Sequence, residues 1–103
     1  MIILAIHGYN DYSNSFKLPA KYLSENNIFT FSFDLDGFGK NDNFGFWYPL
    51  GVHTKAIKKQ LLELKKQYPQ KKIFLLGESM GGAIITSLMT HEKELPIDGA
   101  VLV

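Results

Sequence analysis

The run Gly77-Glu78-Ser79-Met80-Gly81-Gly82 is the stretch of this sequence whose residue types and spacing suit covalent chemistry. A serine hydroxyl attacks a carbonyl carbon only if it projects freely and a base removes its proton. A sharp strand-to-helix turn supplies the projection, holding the serine at strained backbone angles. Glycines two residues before and after it leave space where a Cβ would strike the adjoining strand or helix. Gly77 and Gly81 occupy those positions, and Gly82 suits close helix-to-strand packing. Chance produces Gly-x-Ser-x-Gly in roughly 3% of chains of this length, so the context has to carry weight. The apolar run Ile73-Phe74-Leu75-Leu76 comes directly before, and a small and apolar helical face, Ala83, Ile84, Ser87 and Leu88, comes directly after. That context selects Ser79 as a nucleophile over an ordinary glycine-rich turn with a surface serine.

A second piece lies at the start of the chain, where His7-Gly8-Tyr9-Asn10 follows the apolar run at residues 2–6. A loop placed there donates one backbone N–H to an oxyanion, and the residue after the nucleophile donates the other. Tyr9 and Met80 are the expected donors, through their main chains. His7 is expected to organise the loop and not to serve as base, since a lone histidine at a strand end is more often structural. His53 opens a lysine-rich helix, and His91 ends the helix after Ser79, roughly 18 Å away at ~1.5 Å per residue. Glu78 occupies the variable position of the turn, and Asp98 precedes the last strand at the opposite edge of the sheet. No triad is expected from within these residues. Without a base Ser79 is a weak nucleophile, because oxyanion donors alone leave only roughly 10³ to 10⁴ over water.

The elements that must position these groups alternate. The runs 2–6, 73–76 and 100–103 are short, continuous and apolar, which predicts strands of a parallel sheet buried on both faces. Residues 28–33 alternate Phe29, Phe31 and Phe33 with Ile28, Thr30 and Ser32, a fourth strand with one aromatic side. Phe16, Ala20 and Leu23 mark a helix with Pro19 in its first turn and an end near Asn26-Asn27. Ile57, Leu61, Leu64 and Tyr68 mark a longer helix from about Val52 to Tyr68, stopped by Pro69. The helix after Ser79 runs to His91. The order βαβαβαβ predicts an α/β fold: a central parallel sheet of about four strands with right-handed crossovers and helices on both faces. Residues 34–50, rich in Gly, Asn, Asp and aromatics, read as a long loop of the kind that is often functional.

Composition narrows the function classes. The 103 residues are 46% hydrophobic and 20% charged, which fits one packed domain. A net charge of +1 gives no field for nucleic acid or an acidic membrane surface. Absence of cysteine rules out disulfides and thiolate metal sites and fits a reducing compartment, so a cytoplasmic location is expected. No apolar stretch approaches the roughly 18 residues of a membrane span, and no stable membrane insertion is expected. Ala83 and Ile84 after Gly82 exclude a phosphate-binding P-loop, and His-Gly-Tyr-Asn after the first strand excludes a dinucleotide fingerprint. The histidines lack metal-ligand spacing. Neither metal nor cofactor is expected.

Three stretches, Gln67-Tyr68-Pro69 through Phe74-Leu75-Leu76-Gly77-Glu78-Ser79-Met80-Gly81-Gly82-Ala83-Ile84, Asp98-Gly99-Ala100-Val101-Leu102-Val103, and His7-Gly8-Tyr9, make the chain similar to one group of α/β hydrolases. That group is the monoacylglycerol lipase and lysophospholipase branch, also called the serine aminopeptidase group. Asp34-Leu35-Asp36-Gly37-Phe38-Gly39 resembles its Asp-x-Arg-Gly-x-Gly-x-Ser loop, except that Asp36 stands where the family has Arg and Asn41 where it has Ser. The resemblance implies hydrolysis of carboxylic esters of small molecules, of lipid glycerol or lysophospholipid type, through an acyl-enzyme on Ser79. It also implies that a leading hairpin and the later strands bearing the triad acid and histidine lie outside these residues. The alternative is an inactive fragment, or half of a split hydrolase that pairs with a C-terminal half or self-associates.

Overall fold

The computed structural model describes residues 1–8, 16–36, 38 and 49–103. Within these, the first apolar run forms β1 (Ile2–Ile6). The sequence Lys17–Glu25 forms α1, with Pro19 in its first turn, where the missing N–H costs nothing. It ends where Asn27 takes a positive φ of 63°, a conformation asparagine tolerates better than most residues. Next come β2 (Phe29–Ser32), α2 (Leu50–Gln67), β3 (Ile73–Gly77), α3 (Met80–His91) and β4 (Gly99–Leu102).

All strand pairs are parallel and the sheet order is β2-β1-β3-β4. The central pair sets Ile2 opposite Ile73, Leu4 opposite Leu75 and Ile6 opposite Gly77. From β1 the chain crosses outward to β2, and from β3 it crosses outward the other way to β4. The strand order therefore reverses between β1 and β3, and in open α/β sheets the crevice beyond the carboxyl ends at such a point is where ligands bind. Right-handed crossovers put α1 on one face and α2 and α3 on the other; α2 and α3 touch each other.

The main core lies under α2 and α3. Ile2, Leu4, Ile6, Ile73 and Leu75 from the two central strands meet Ile57, Leu61 and Leu64 of α2 and Ile84, Ile85 and Leu88 of α3. Each such side chain contributes about 1.5–3 kcal/mol when fully buried. The lysines of α2 fall outside this stripe, as helical periodicity requires, and Lys65 and Lys66 in its last turn complement the helix dipole.

The expectations for Tyr68, for the last apolar run and for Leu50 are corrected. Tyr68 does not extend the buried stripe of α2. It caps the helix at φ −130° and ψ 65°, because the residue before Pro69 is pushed out of helical geometry, and its ring packs on Phe31 with centroids 6.1 Å apart. The aromatic side expected at 28–33 is present, with Phe31 and Phe33 packed against the core and Phe29 exposed on the outer strand. The last apolar run is not buried on both faces: Val101, Leu102 and Val103 are 55, 55 and 78% exposed, since β4 is a sheet edge and no described element covers its end. Leu50, expected to close the long loop, opens α2 instead; of that loop, residues 37 and 39–48 lie outside the described residues.

Candidate active site

Where β3 passes into α3, Ser79 takes φ 54° and ψ −111°. A non-glycine residue there stores about 1–3 kcal/mol and persists only if its surroundings over-determine it. They do. The Glu78 N–H donates to the Ile6 carbonyl at 3.1 Å, the Ser79 N–H to the Val103 carbonyl at 2.9 Å, and the Val103 N–H to the Gly77 carbonyl at 2.8 Å. Inside the turn, the Gly81 N–H donates to Glu78 at 2.9 Å and the Ala83 N–H to Ser79 at 3.2 Å.

Close approach accounts for two of the glycines. A Cβ on Gly77 would sit 2.7 Å from the Gly82 Cα and 2.7 Å from the Ile85 Cδ1. A Cβ on Gly81 would overlap the Ile6 carbonyl oxygen and stand 2.8 Å from that of His7. Gly82 differs: a Cβ there has no neighbour nearer than 3.5 Å, so its part in the packing is to offer bare backbone to Gly77.

Met80 is the first residue of α3. Its N–H is among those with no acceptor inside a helix, at the end where the helix dipole is positive. That end also lies over the carboxyl end of β1. His7 is fully buried, and its Nε2 accepts the Leu35 N–H at 3.0 Å. A backbone N–H can only donate, so the imidazole proton is on Nδ1, which donates to the Gly8 carbonyl at 2.9 Å. With both nitrogens committed, His7 ties two segments together and has no lone pair left for Ser79. A Cβ on Gly8 would lie 3.4 Å from the Ser79 Cβ and 3.1 Å from the Glu78 carbonyl oxygen, so the end of β1 abuts the serine turn. Tyr9, the other expected donor, lies outside the described residues.

The remaining titratable candidates are elsewhere. His91, at the far end of α3, donates through Nδ1–H to the Ser87 carbonyl at 2.8 Å. Asp98 bridges the opposite end of the sheet, its Oδ2 accepting the Ile73 N–H at 2.9 Å while its own N–H donates to Ile73 at 2.8 Å. His53 lies in the first turn of α2 and is buried. Burial holds its pKa below the ordinary 6.5, with Asp36 opposing and His7 reinforcing that shift. Sequence reasoning missed Leu35 and Phe38, which the fold brings against His7; an aperiodic loop gives no signal of which backbone groups it buries. Among the described residues no group of three or more His, Asp or Glu side chains could hold a metal ion, and no helix is long and apolar enough to cross a membrane.

A strained serine between a parallel strand and a helix, beside the switch point of an open sheet, belongs to an α/β-hydrolase fold. All of residues 1–103 match the family described as Hydrolase_4, serine aminopeptidase S33, and the chain belongs to that family. It is 28% identical over 103 residues to the monoglyceride lipase of Homo sapiens, covering 99% of this chain and 34% of that protein. To the monoglyceride lipase homolog of Monkeypox virus it is 27% identical over 84 residues, covering 81% of this chain and 30% of that protein. Among solved structures, a carboxyl esterase from Bacillus coagulans matches with a TM-score of 0.86 at 19% identity, over 98% of this chain and 34% of that one. The monoacylglycerol lipase of Paleococcus ferrophilus matches at 0.84 and 23% identity, over 98% and 37%. The chain thus spans about a third of the length of the curated relatives it matches.

Proposed function

We propose that Ser79 is the nucleophile of a carboxylic ester hydrolase acting on small-molecule esters of the lipid glycerol or lysophospholipid class. The observation that carries this reading is the positive φ of Ser79 at a turn pinned by both central strands. Strain of that kind is retained where projecting the side chain matters more than stability. In the reaction the Ser79 hydroxyl loses its proton to a base as Oγ bonds to the ester carbonyl carbon. The carbonyl oxygen becomes an oxyanion facing the Met80 N–H and, on this reading, the Tyr9 N–H. Collapse expels the alcohol, which takes up the proton, and leaves an acyl group on Ser79; water then reverses these steps and releases the acid. The substrate class is supported by the likeness to monoglyceride lipases.

The base comes from outside these 103 residues. His7 has both nitrogens engaged, His53 is buried on α2, and His91 sits at the last residue of α3; the sequence holds no other histidine. This arrangement also favours a second reading, in which the chain is inactive until a further segment or a partner chain docks. Treatment with a fluorophosphonate probe, with the adduct mapped by mass spectrometry and Ser79→Ala as control, tests both. Label on Ser79 supports the hydrolase reading. Absence of label on the folded chain, followed by label once a segment bearing a histidine and a carboxylate is supplied, supports the second. No label under either condition overturns both.

A further inference from the structure

We infer that His53 is a positioning residue for the Ser79 site, holding in its neutral form a line of contacts that runs through Phe38 and His7 to Gly8. Its catalytic consequence rests on the hydrolase reading above; the packing does not. The His53 ring lies 6.5 Å from Phe38, centroid to centroid, and Phe38 lies 5.3 Å from His7 in an edge-on arrangement. His7 then ties Gly8 to Leu35 through its two nitrogens, and a Cβ on Gly8 would lie 3.4 Å from the Ser79 Cβ. Three rings thereby connect the first turn of α2 to the serine turn.

The chemistry of His53 distinguishes it from filler. Its Nδ1 is buried with no hydrogen-bond partner among the described residues. An unpaired buried polar atom carries its full desolvation penalty, a cost that an aromatic ring of carbon would avoid. An imidazole kept at that cost has a property a phenyl ring lacks, and that property is a proton equilibrium. The groups acting on it are Asp36, from the turn after β2, and His7, from the end of β1; α3, packed on the same helix, supplies none of the named influences. The positive end of the α2 dipole also disfavours a cation in the first turn. An imidazolium would need acceptors at both nitrogens, and among the described residues the carboxylate that acts on it is that of Asp36. On protonation the ring is drawn toward Asp36 or water and Phe38 loses its contact with that ring. The turn carrying Leu35 then moves away from the His7 acceptor.

The sign follows from the lowered pKa. The unfolded chain takes up a proton near the ordinary value of 6.5 and the folded chain only at lower pH. Stability from neutral His53 is therefore complete above the unfolded value and is lost as pH falls from there through the folded pKa.

The test is an amide NMR titration of the full chain from about pH 7.5 to about 5.5, with thermal unfolding over the same range, on the wild type, His53→Phe and His53→Gln. The expected result is that the Gly8 and Leu35 amides titrate together with the His53 ring. In a folded variant both amides stop moving, and the acid loss of Tm falls to half or less. Unchanged titration of Gly8 and Leu35 in either folded variant overturns the inference, as does their failure to move in the wild type. Fluorophosphonate labelling is read separately: amides that follow His53 in a protein that never labels uphold the positioning role and remove the hydrolase reading.

Discussion

The Ser79 N–H donates to the Val103 carbonyl at 2.9 Å, and the Val103 N–H donates to the Gly77 carbonyl at 2.8 Å. The serine turn is thus stitched to the last strand as well as to β1, where the Glu78 N–H meets Ile6. Backbone groups, which no side-chain substitution removes, hold the strained angles.

Strain at Ser79 predicts a stability gain on its release. Ser79→Gly relieves about 1–3 kcal/mol of backbone cost and gives back up to about 1 kcal/mol through the freer unfolded chain. A net gain of about 1 kcal/mol is expected in denaturant unfolding, with complete loss of probe labelling. A Ser79→Gly variant less stable than the wild type contradicts the strain.

The glycines separate by position. Gly81→Ala drives a methyl into the Ile6 carbonyl, and Gly77→Ala drives one into the Gly82 backbone, so each is expected to lose about 1–3 kcal/mol or more. Gly82→Ala meets only ordinary contacts and gains helix propensity of up to about 1 kcal/mol. Chemical denaturation of the three variants measures this order, and equal losses would contradict it.

Leu61 and Lys58, both on α2, give opposite outcomes. Leu61 is fully buried beneath the sheet, and Leu61→Ala is expected to cost about 2–5 kcal/mol. Lys58 pairs with Glu92 at 3.0 Å, but both side chains are more than two-fifths exposed, and Lys58→Ala is expected to cost less than about 1 kcal/mol. Thermal unfolding of the two variants at moderate salt checks the contrast.

Asp98 provides a test at the far end of the sheet. Asp98→Ala removes the acceptor of the half-buried Ile73 N–H and is expected to cost about 1 kcal/mol while leaving Ser79 labelling unchanged in any assembly that labels. A loss of labelling with fold retained would show that Asp98 has a part in the chemistry.

Much of this fold and site is legible in local sequence because the signals are local. The runs at 2–6 and 73–76 show strands through continuous apolar character, and Gly77, Ser79 and Gly81 show a turn through spacing alone. Tyr68 was misread because periodicity continued past the point where Pro69 ends the helix. The exposure of Val101, Leu102 and Val103 was not legible, since an apolar run does not reveal whether a neighbour covers it. Nor was the partnership of His7 with Leu35 and Phe38, which depends on how an aperiodic loop folds back across the sheet.

The sheet order carries a consequence for how the chain acquires its structure. β1 pairs with β2 on one side and with β3 on the other, where Ile2 is set against Ile73. During synthesis β1 emerges well before β3, and β2, a partner with an exposed Phe29, is made between them. Closing the central pair requires the ends of a long intervening stretch to meet, which makes this step the slow, non-local one. The serine turn depends on the same long-range closure, because its bonds run both to Ile6 of β1 and to Val103 beyond β4.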